Sequence, residues 1–278
     1  KSKLLLDTTR LGFEPLSLER FRNALLRRQG VTLVMGPSGS GKTTTLHSAI
    51  AALNGPDRHV VTVEDPVELD LPGVNRIAIH PAGGRDAAAV LRSLDTLDAD
   101  VVLVSDIGDP ETACAAFGLA ERGPLVLSTL PATAAPSTMA RLVHAGLPLY
   151  LLARLNLVAA QRLVRRICAK CRFDDTANVA GQTLIDIGFP SDWIGSFRVM
   201  RGEGCRDCNG TGYKGRVGLF EVMEITDGIR NLVLAGATAA EIRWTALEEG
   251  MLTLRMSGNE KIRNGVTTVE EVLRETVL

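Results

Sequence analysis

The chain of 278 residues has few aromatic side chains, no excess of charge of either sign and no long uninterrupted apolar run. Aromatic residues make up 4% of the sequence, and 31 basic residues balance 32 acidic ones to leave a formal charge of −1. Proteins that bind nucleic acid or anionic lipid usually carry an excess of Lys and Arg, and single-strand binders add stacking aromatics. The composition therefore argues against nucleic acid as a partner. With 45% hydrophobic and 23% charged residues, the chain is globular rather than disordered.

The longest apolar stretch covers residues 142–164 and is interrupted by His144, two arginines and a glutamine. A membrane-spanning helix needs about 20 consecutive apolar residues, so this stretch predicts a buried helix instead. No signal peptide precedes the first apolar segments, and the chain opens with Lys1 rather than Met. We interpret it as a fragment of a longer cytoplasmic protein.

Short β-branched apolar runs alternate with helical patterns over roughly the first 170 residues, which is typical of a parallel sheet covered by helices. Each run is nearly continuous in apolar residues, as expected for strands buried on both faces. The predicted strands are residues 31–35, 60–63, 101–104 and 125–127, and the predicted helices are residues 18–28, 43–53, 86–94 and 111–122. The sequence therefore predicts an α/β fold.

A phosphate-binding loop follows the first predicted strand and opens the second predicted helix. Its residues fit G-x-x-x-x-G-K-[ST], and the candidate nucleotide ligands are Gly36, Pro37, Ser38, Gly39, Ser40, Gly41, Lys42, Thr43 and Thr44. In such loops the backbone N–H groups surround an anion, the Lys reaches the β- and γ-phosphates, and the Thr hydroxyl can bind Mg²⁺. A chance Gly/Ser turn is the alternative, but the flanking strand and helix favour nucleotide binding.

Acidic residues end two of the predicted strands. Asp106 follows the strand at 101–104, and Glu64 with Asp65 follows the strand at 60–63. A phosphate-binding loop is usually joined by an acid from a neighbouring strand, which holds Mg²⁺ through water or orients the attacking water. Acids at strand ends also cap the turn or helix that follows. The loop favours the catalytic role, with Asp106, Glu64 and Lys42 as the candidate catalytic residues.

The alternation of strands and helices stops after residue 166, and four cysteines follow. Cys168, Cys171, Cys205 and Cys208 form two C-x₂-C pairs separated by 33 residues. Two such pairs can close a tetrahedral Zn²⁺ site of structural type, although the long gap requires an inserted excursion. Chance pairing and disulfides are the alternatives, and disulfides are disfavoured in a cytosolic nucleotide-binding protein. The fifth cysteine, Cys114, lies in a predicted helix and is expected in the core.

The order of these motifs resembles the C-terminal motor of the type II secretion and type IV pilus assembly ATPases, which are hexameric secretion ATPases. The resemblance runs from about residue 18 to the C-terminus. The matching segments are residues 36–43 (Walker A), 63–68 and 71–74 (aspartate box), 106–113 (Walker B), 125–130 (histidine box), 160–165 before the first cysteine pair and 210–216 after the second. The family's assembly ATPases also have a tetracysteine element at this place.

Several family positions are altered in this chain. Asp106 stands where the family has the Walker B glutamate, Gly108 stands where it has an arginine, and Pro131 stands where it has the histidine. Residues 95–100 lack a further arginine. A catalytic group misplaced by ~1 Å can cost on the order of a hundredfold in rate. We therefore expect nucleotide binding with slow hydrolysis, which Glu64 could partly compensate.

The resemblance implies a Mg²⁺-dependent ATPase with a RecA-like core that powers pilus or pseudopilus assembly. It implies a homohexamer on the cytoplasmic face of the inner membrane, bound to an inner-membrane platform protein and a cytoplasmic adaptor, with ATP, Mg²⁺ and Zn²⁺ as its ligands. The expected organisation is an interdomain linker at residues 1–17, the ATP-binding core at 18–166, a tetracysteine module at 167–222 with little core of its own, and a helical region at 223–278 whose last helix starts near Thr268.

Two other functions remain open from the sequence. The altered residues would also fit a nucleotide-binding regulatory or structural subunit, a pseudo-ATPase, and the phosphate-binding loop alone would fit a DNA-translocating motor, for which the sequence shows no basic stripe. Arg92 and Arg122 are candidates to reach a neighbouring subunit's phosphate, although a solvated helix face is favoured for both. The four histidines show no spacing typical of a metal site or catalytic triad, so we expect ordinary polar roles for them: His47, His59, His80 and His144.

Overall fold

A seven-stranded sheet forms the centre of the fold in the computed structural model, which describes residues 7–67, 71–79, 86–94, 97–132 and 134–276. Glu68, His80 and residues 95–96, which the sequence analysis singled out, lie outside these ranges. The strands are β1 (Gly30–Met35), β2 (Val60–Glu64), β3 (Val74–Ala78), β4 (Val101–Val104), β5 (Leu125–Leu130), β6 (Leu155–Ile167), β7 (Arg172–Asp174), β8 (Met200–Gly202) and β9 (Tyr213–Glu224).

The order of the main sheet is β3-β2-β4-β5-β1-β6-β9, and β7 pairs with β8 in a separate small sheet. The first six strands of the main sheet are parallel, and β9 runs antiparallel to β6. The carboxyl ends of the parallel strands therefore meet at one edge of the sheet, where ligands of open α/β folds bind.

Helices cover both faces of this sheet. They are α1 (Pro15–Leu26), α2 (Lys42–Leu53), α3 (Ala87–Ser93), α4 (Pro110–Glu121), α5 (Thr138–His144), α6 (Leu149–Leu152), α7 (Gly181–Asp186), α8 (Asp227–Leu234), α9 (Ala239–Glu248), α10 (Leu254–Arg263) and α11 (Val269–Thr276). Two large apolar clusters fill the space on the two faces, one centred on Phe117 and the other on Phe21 and Phe220. None of the helices in the described ranges is both long enough and apolar enough to cross a membrane.

The four predicted strands and the α/β class are confirmed. The predicted helix at residues 142–164 is wrong: this stretch contains the end of α5, the short α6 and most of β6. Seven successive residues of β6 are buried, because both of its faces are covered: Leu157 and Ala159 pack into the cluster around Phe21, and Val158 and Ala160 pack into the cluster around Phe117. A strand buried on both faces loses the alternation that would have distinguished it from a buried helix.

The cysteine region differs from the sequence-based division in two ways. Residues 213–222 belong to β9 and to the main sheet, so they are not part of a separate module. The insert also has its own small apolar core, in which Leu184 and Phe189 pack with Ile262 of α10 and Val272 of α11. The excursion required by the long cysteine spacing is thus folded against the last two helices. The four-part division of the chain otherwise stays a prediction.

Candidate nucleotide-binding site and cysteine cluster

The phosphate-binding loop lies at the carboxyl end of β1, in the middle of the parallel edge. Gly36 and Ser40 are buried, whereas Pro37, Ser38 and Gly39 form the exposed tip. Gly41 takes a left-handed conformation with φ 89° and provides the cap of α2 without a side-chain hydrogen bond. By contrast, Asp86 and Asp109 cap α3 and α4 with their carboxylates. The first N–H groups of α2 are therefore left for an anion at the positive end of the helix.

Two glycines of the loop pack directly on β6. A Cβ added at Gly36 would lie 2.5 Å from the backbone carbonyl oxygen of Gln161, and one at Gly41 would lie 2.9 Å from the side-chain nitrogen of Gln161. Both glycines also have positive φ, so a side chain would be strained as well as crowded. At Gly39 a Cβ would meet nothing within 4 Å. The glycines at the two ends of the loop are thus required by packing, and the one at the tip by φ alone.

The Lys42 ammonium lies across the loop at the start of α2. It donates to the carbonyl oxygens of Gly36 at 2.9 Å and Pro37 at 3.0 Å. Burial lowers the Lys42 pKa, and the negative charge of Asp106 opposes that shift. Thr43 is exposed beside it and Thr44 is half-buried. The cation and a hydroxyl therefore stand at the mouth of the loop, as phosphate and magnesium chemistry requires.

A cavity of about 260 Å³ brings the loop together with the predicted acids. It opens between the start of α2 and the carboxyl ends of β2, β4 and β5. Its lining residues are Lys42, Thr43, Leu46, His47, Glu64, Asp65, Pro66, Leu103, Ser105, Asp106 and Thr129. Oxygen donors from Thr43, Glu64, Asp65 and Asp106 fit a Mg²⁺ ion, which prefers such ligands together with water and phosphate oxygens.

The Asp106 carboxylate is held back against its own backbone. Partial burial raises its pKa, while the Thr129 hydroxyl, the amides of Gly108 and Ile107 and the charge of Lys42 lower it. The Thr129 hydroxyl donates to Asp106 Oδ1 at 3.3 Å and to the Ser105 carbonyl at 2.6 Å. A Cβ at Gly108 would lie 2.8 Å from Asp106 Oδ2. The absence of a side chain at Gly108 therefore leaves room for the Asp106 carboxylate in this position.

Glu64 is buried at the end of β2, with 4% of its surface exposed. Its Oε2 atom lies 3.1 Å from Nε2 of His47, which is 2% exposed and belongs to α2. No sequence pattern connects these residues, because they meet only where α2 packs over the sheet.

Gln161, Thr129 and His47 are residues of the site that the sequence analysis did not assign. Gln161 and Thr129 lie inside matched family segments, so the motif itself was the signal available for them. The two arginines considered as reaching a neighbouring phosphate lie elsewhere: Arg122 lines a cavity at the opposite edge of the sheet, and Arg92 belongs to α3. Neither lines the cavity at the phosphate-binding loop.

The four cysteines of the two pairs come together at the base of the insert. All four sulfur atoms lie within 4.8 Å of one another. The Sγ–Sγ distance is 3.9 Å for Cys168 and Cys205, 3.8 Å for Cys171 and Cys208, and 3.7 Å for Cys205 and Cys208. A tetrahedron with Zn–S bonds of about 2.3 Å has edges of about 3.8 Å. The cluster has the size of a Cys₄ zinc site, and all its cysteines are free thiols.

Backbone amides point at two of these sulfurs. Cys208 Sγ accepts from the N–H groups of Cys205 at 3.1 Å and Gly212 at 3.3 Å, and Cys171 Sγ accepts from Gly204 at 3.3 Å. The pKa of Cys208 is lowered to about 6, mainly by the Cys205 amide. Burial raises the pKa of Cys171 to about 12. Amide donors stabilise thiolates, and thiolates are the form that binds metal. The donor set therefore fits zinc.

Comparison with known proteins agrees with this geometry. The family profile described as "Type II/IV secretion system protein" matches residues 1–274. The chain is 48% identical over 277 residues to the type IV pilus assembly ATPase PilB of Myxococcus xanthus (strain DK1622), which covers 99% of this chain and 49% of the relative. It is 40% identical over 275 residues to the type II secretion system protein HxcR of Pseudomonas aeruginosa, which covers 99% of this chain and 54% of the relative.

The chain thus spans about half the length of these curated relatives. Among solved structures, the pilus retraction motor PilT with bound ADP aligns with a TM-score of 0.68 and 24% identity, and the alignment covers 97% of this chain and 66% of that one. At this identity the likeness shows the fold, which is that of the RecA-like ATPases. The sheet, the loop at its parallel edge and these matches lead to one conclusion: the chain belongs to the type II secretion and type IV pilus assembly ATPase family.

Proposed function

We propose that this chain binds ATP with Mg²⁺ and hydrolyses it slowly as the motor domain of a pilus or pseudopilus assembly machine. The observation that carries the proposal is the cavity that joins Lys42 and Thr43 to Glu64 and Asp106. Identity is 48% to the pilus assembly ATPase of Myxococcus xanthus, but it is 40% both to the pilus assembly ATPase PilB and to HxcR of Pseudomonas aeruginosa, so the proposal covers either machine.

Different residues of the loop bind different parts of the ATP·Mg complex. The backbone from Gly36 to Thr44 surrounds the phosphates, with the uncapped N–H groups of α2 as donors. Lys42 stabilises charge on the β- and γ-phosphates, and the Thr43 hydroxyl is the Mg²⁺ ligand. Mg²⁺ supplies charge neutralisation at the phosphate oxygens.

Hydrolysis requires a water molecule in line with the γ-phosphate. Glu64 and Asp106 are the two carboxylates of the cavity that can orient it. Asp106 is held against Thr129 and its own backbone amides, so its reach into the cavity is short. We attribute slow turnover to this short reach and to Pro131 in place of a histidine.

The remaining parts of the proposal concern assembly. We propose a homohexamer at the inner face of the cytoplasmic membrane, attached through an inner-membrane platform protein and a cytoplasmic adaptor. The relatives named for pilus assembly and type II secretion support this role. Zn²⁺ held by Cys168, Cys171, Cys205 and Cys208 would fix the insert structurally and take no part in hydrolysis.

The test is steady-state ATP turnover in the longest form of the protein that can be purified. Wild type is compared with Lys42→Ala and with Asp106→Glu, with ADP binding measured on all three. We expect wild-type turnover above that of Lys42→Ala. We also expect Asp106→Glu to raise turnover on the order of tenfold to a hundredfold, because one added methylene extends the acid by ~1 Å.

Wild-type turnover equal to that of Lys42→Ala, with ADP still bound, would overturn hydrolysis and favour the nucleotide-binding subunit without turnover. Turnover in Asp106→Glu no higher than wild type would overturn the explanation that the short acid limits the rate.

A further inference from the structure

The contact between His47 and Glu64 joins the helix of the phosphate-binding loop to the acid at the carboxyl end of β2. His47 lies on α2, and both His47 and Lys42 line the cavity at the phosphate-binding loop. The Nε2–Oε2 distance is 3.1 Å, and the two side chains are 3% and 5% exposed. Both residues line the cavity that contains Asp106.

The hydrogen bond has one direction when Glu64 is ionised. A carboxylate only accepts, so Nε2 of His47 carries the hydrogen and donates it. Nδ1 of His47 is buried and has no hydrogen-bond partner within the described residues. A buried N–H without an acceptor is costly, so of the two tautomers the one with its hydrogen on Nε2 fits these surroundings.

The consequence for Glu64 is a fixed orientation. A buried carboxylate needs donors, and one oxygen held by His47 leaves the other turned in a defined direction. Because His47 belongs to α2, which begins at the loop, the carboxylate is positioned relative to the helix that would hold the phosphates. Misplacing such a group by ~1 Å can cost on the order of a hundredfold in rate.

We propose that His47 is a positioning residue for Glu64 in ATP hydrolysis. It acts through the Nε2–H donor and without touching the nucleotide. This inference rests on the proposed hydrolysis, with Glu64 as an acid that orients water.

Replacing His47 by Gln or by Asn tests whether the position of the hydrogen-bond donor matters, because both side chains are polar amides. The terminal nitrogen of Gln overlies Nε2 of His, whereas that of Asn overlies Nδ1, so His47→Gln keeps the donor to Glu64 and His47→Asn does not. His47→Leu removes both nitrogens. His144→Leu is the matched control, because His144 is an exposed histidine on α5, away from the cavity.

The experiment measures kcat and KM for ATP, ADP·Mg affinity and thermal stability on these four variants, Glu64→Gln and the double variant His47→Leu/Glu64→Gln. We expect His47→Asn and His47→Leu to lower kcat about tenfold or more, with ADP affinity within about twofold of wild type. His47→Gln should keep most of the activity. The double variant should be no slower than Glu64→Gln, since both changes disable the same acid.

The inference is overturned if wild type turns over ATP and either Gln, Asn and Leu at 47 behave alike or the effects of His47→Leu and Glu64→Gln multiply. Parallel losses of stability and ADP affinity in His47→Leu, with kcat unchanged, would show a structural role only. If wild type does not exceed Lys42→Ala, the proposed hydrolysis fails, and this inference fails with it.

Discussion

The Thr45 hydroxyl donates to the side-chain oxygen of Gln161 at 2.8 Å, and both residues are buried. The bond joins α2 to β6 directly beneath the phosphate-binding loop. Gln161 also sets the packing limit for Gly36, through its backbone carbonyl, and for Gly41, through its side-chain amide, so one residue of β6 borders both ends of the loop. The position of the loop therefore depends on β6 as well as on the strand that leads into it.

Removing only one partner of the hydrogen bond between Thr45 and Gln161 should lower the unfolding free energy more than the bond alone would suggest, and removing both partners should recover part of that loss. In Gln161→Leu the Thr45 hydroxyl is left buried without its partner, which costs about 1–3 kcal/mol of unfolding free energy. In Thr45→Val/Gln161→Leu the unpaired hydroxyl is gone, so part of that loss should be recovered. Urea unfolding of the two single variants and the double variant measures the coupling, which we expect to be about 1 kcal/mol.

Additive losses in the double variant would contradict this role for Thr45 and Gln161. Ser93 provides a control: the residue is exposed and its hydroxyl donates to the Val90 carbonyl within α3, so Ser93→Ala should lower the unfolding free energy less than Gln161→Leu does.

The cysteine cluster should bind one zinc ion per chain. Cys171→Ser and Cys208→Ser each remove one thiolate ligand, so the bound zinc should fall to background in elemental analysis. Cys114 is the matched control, because it lies on α4 outside the cluster, and Cys114→Ser should keep its zinc.

Removal of zinc by a chelator should loosen the insert and leave the loop intact. We expect hydrogen exchange to speed up around the cysteines and in β7 and β8, while α2 stays protected. A zinc-free preparation with the same protection pattern as the untreated protein would contradict a structural metal.

The Glu271 carboxylate, 1% exposed, should make stability depend on pH. It accepts from the Arg165 guanidinium at 2.7 Å and the Arg274 guanidinium at 2.6 Å, and also from the Arg165 amide at 2.9 Å. Burial opposes ionisation, but these donors outweigh it and hold the Glu271 pKa below its ordinary value. A lowered pKa of an acid adds stability above the unfolded pKa, near 4.3, and that stability is lost as pH falls through the folded pKa.

Glu271→Gln should therefore lower the unfolding free energy by about 1–2 kcal/mol at pH 7, a modest value because both arginines are about half exposed. The difference from wild type should shrink below about pH 4. Urea unfolding at several pH values checks this, with the neighbouring, exposed Glu270→Gln as control. A difference that stays constant from pH 7 to pH 4 would contradict the assignment.

Much of the parallel core could be predicted because its signals are local. β1, β2, β4 and β5 are short apolar runs, and the loop after β1 fits a motif whose spacing reflects its chemistry. β6 could not be predicted in the same way, since its buried half has no alternation and contains Gln161, whose partner Thr45 lies 116 residues away.

Candidate residues of the site could be named from the sequence, but the contacts between them could not. Lys42, Glu64 and Asp106 were candidates from motif and strand end, and the fold brings them to one cavity. His47 had no signal of its own, because its contact with Glu64 arises only in the folded chain, where α2 packs over the sheet. The core of the insert was missed for a similar reason: three of its seven buried residues, Ile262, Val269 and Val272, are supplied by α10 and α11.

The central claim is that the loop at the end of β1 binds a nucleotide phosphate through Lys42 and the start of α2. Isothermal titration calorimetry with ADP·Mg and with ATP·Mg, on wild type and on Lys42→Ala, tests it most directly. Lys170→Ala serves as control, because that lysine is exposed in the cysteine region. A lysine bonded to phosphate contributes about 1.5–3 kcal/mol, so Lys42→Ala should bind at least about tenfold more weakly than wild type and Lys170→Ala equally well. Absence of binding by the wild type, or equal binding by Lys42→Ala, would contradict the account.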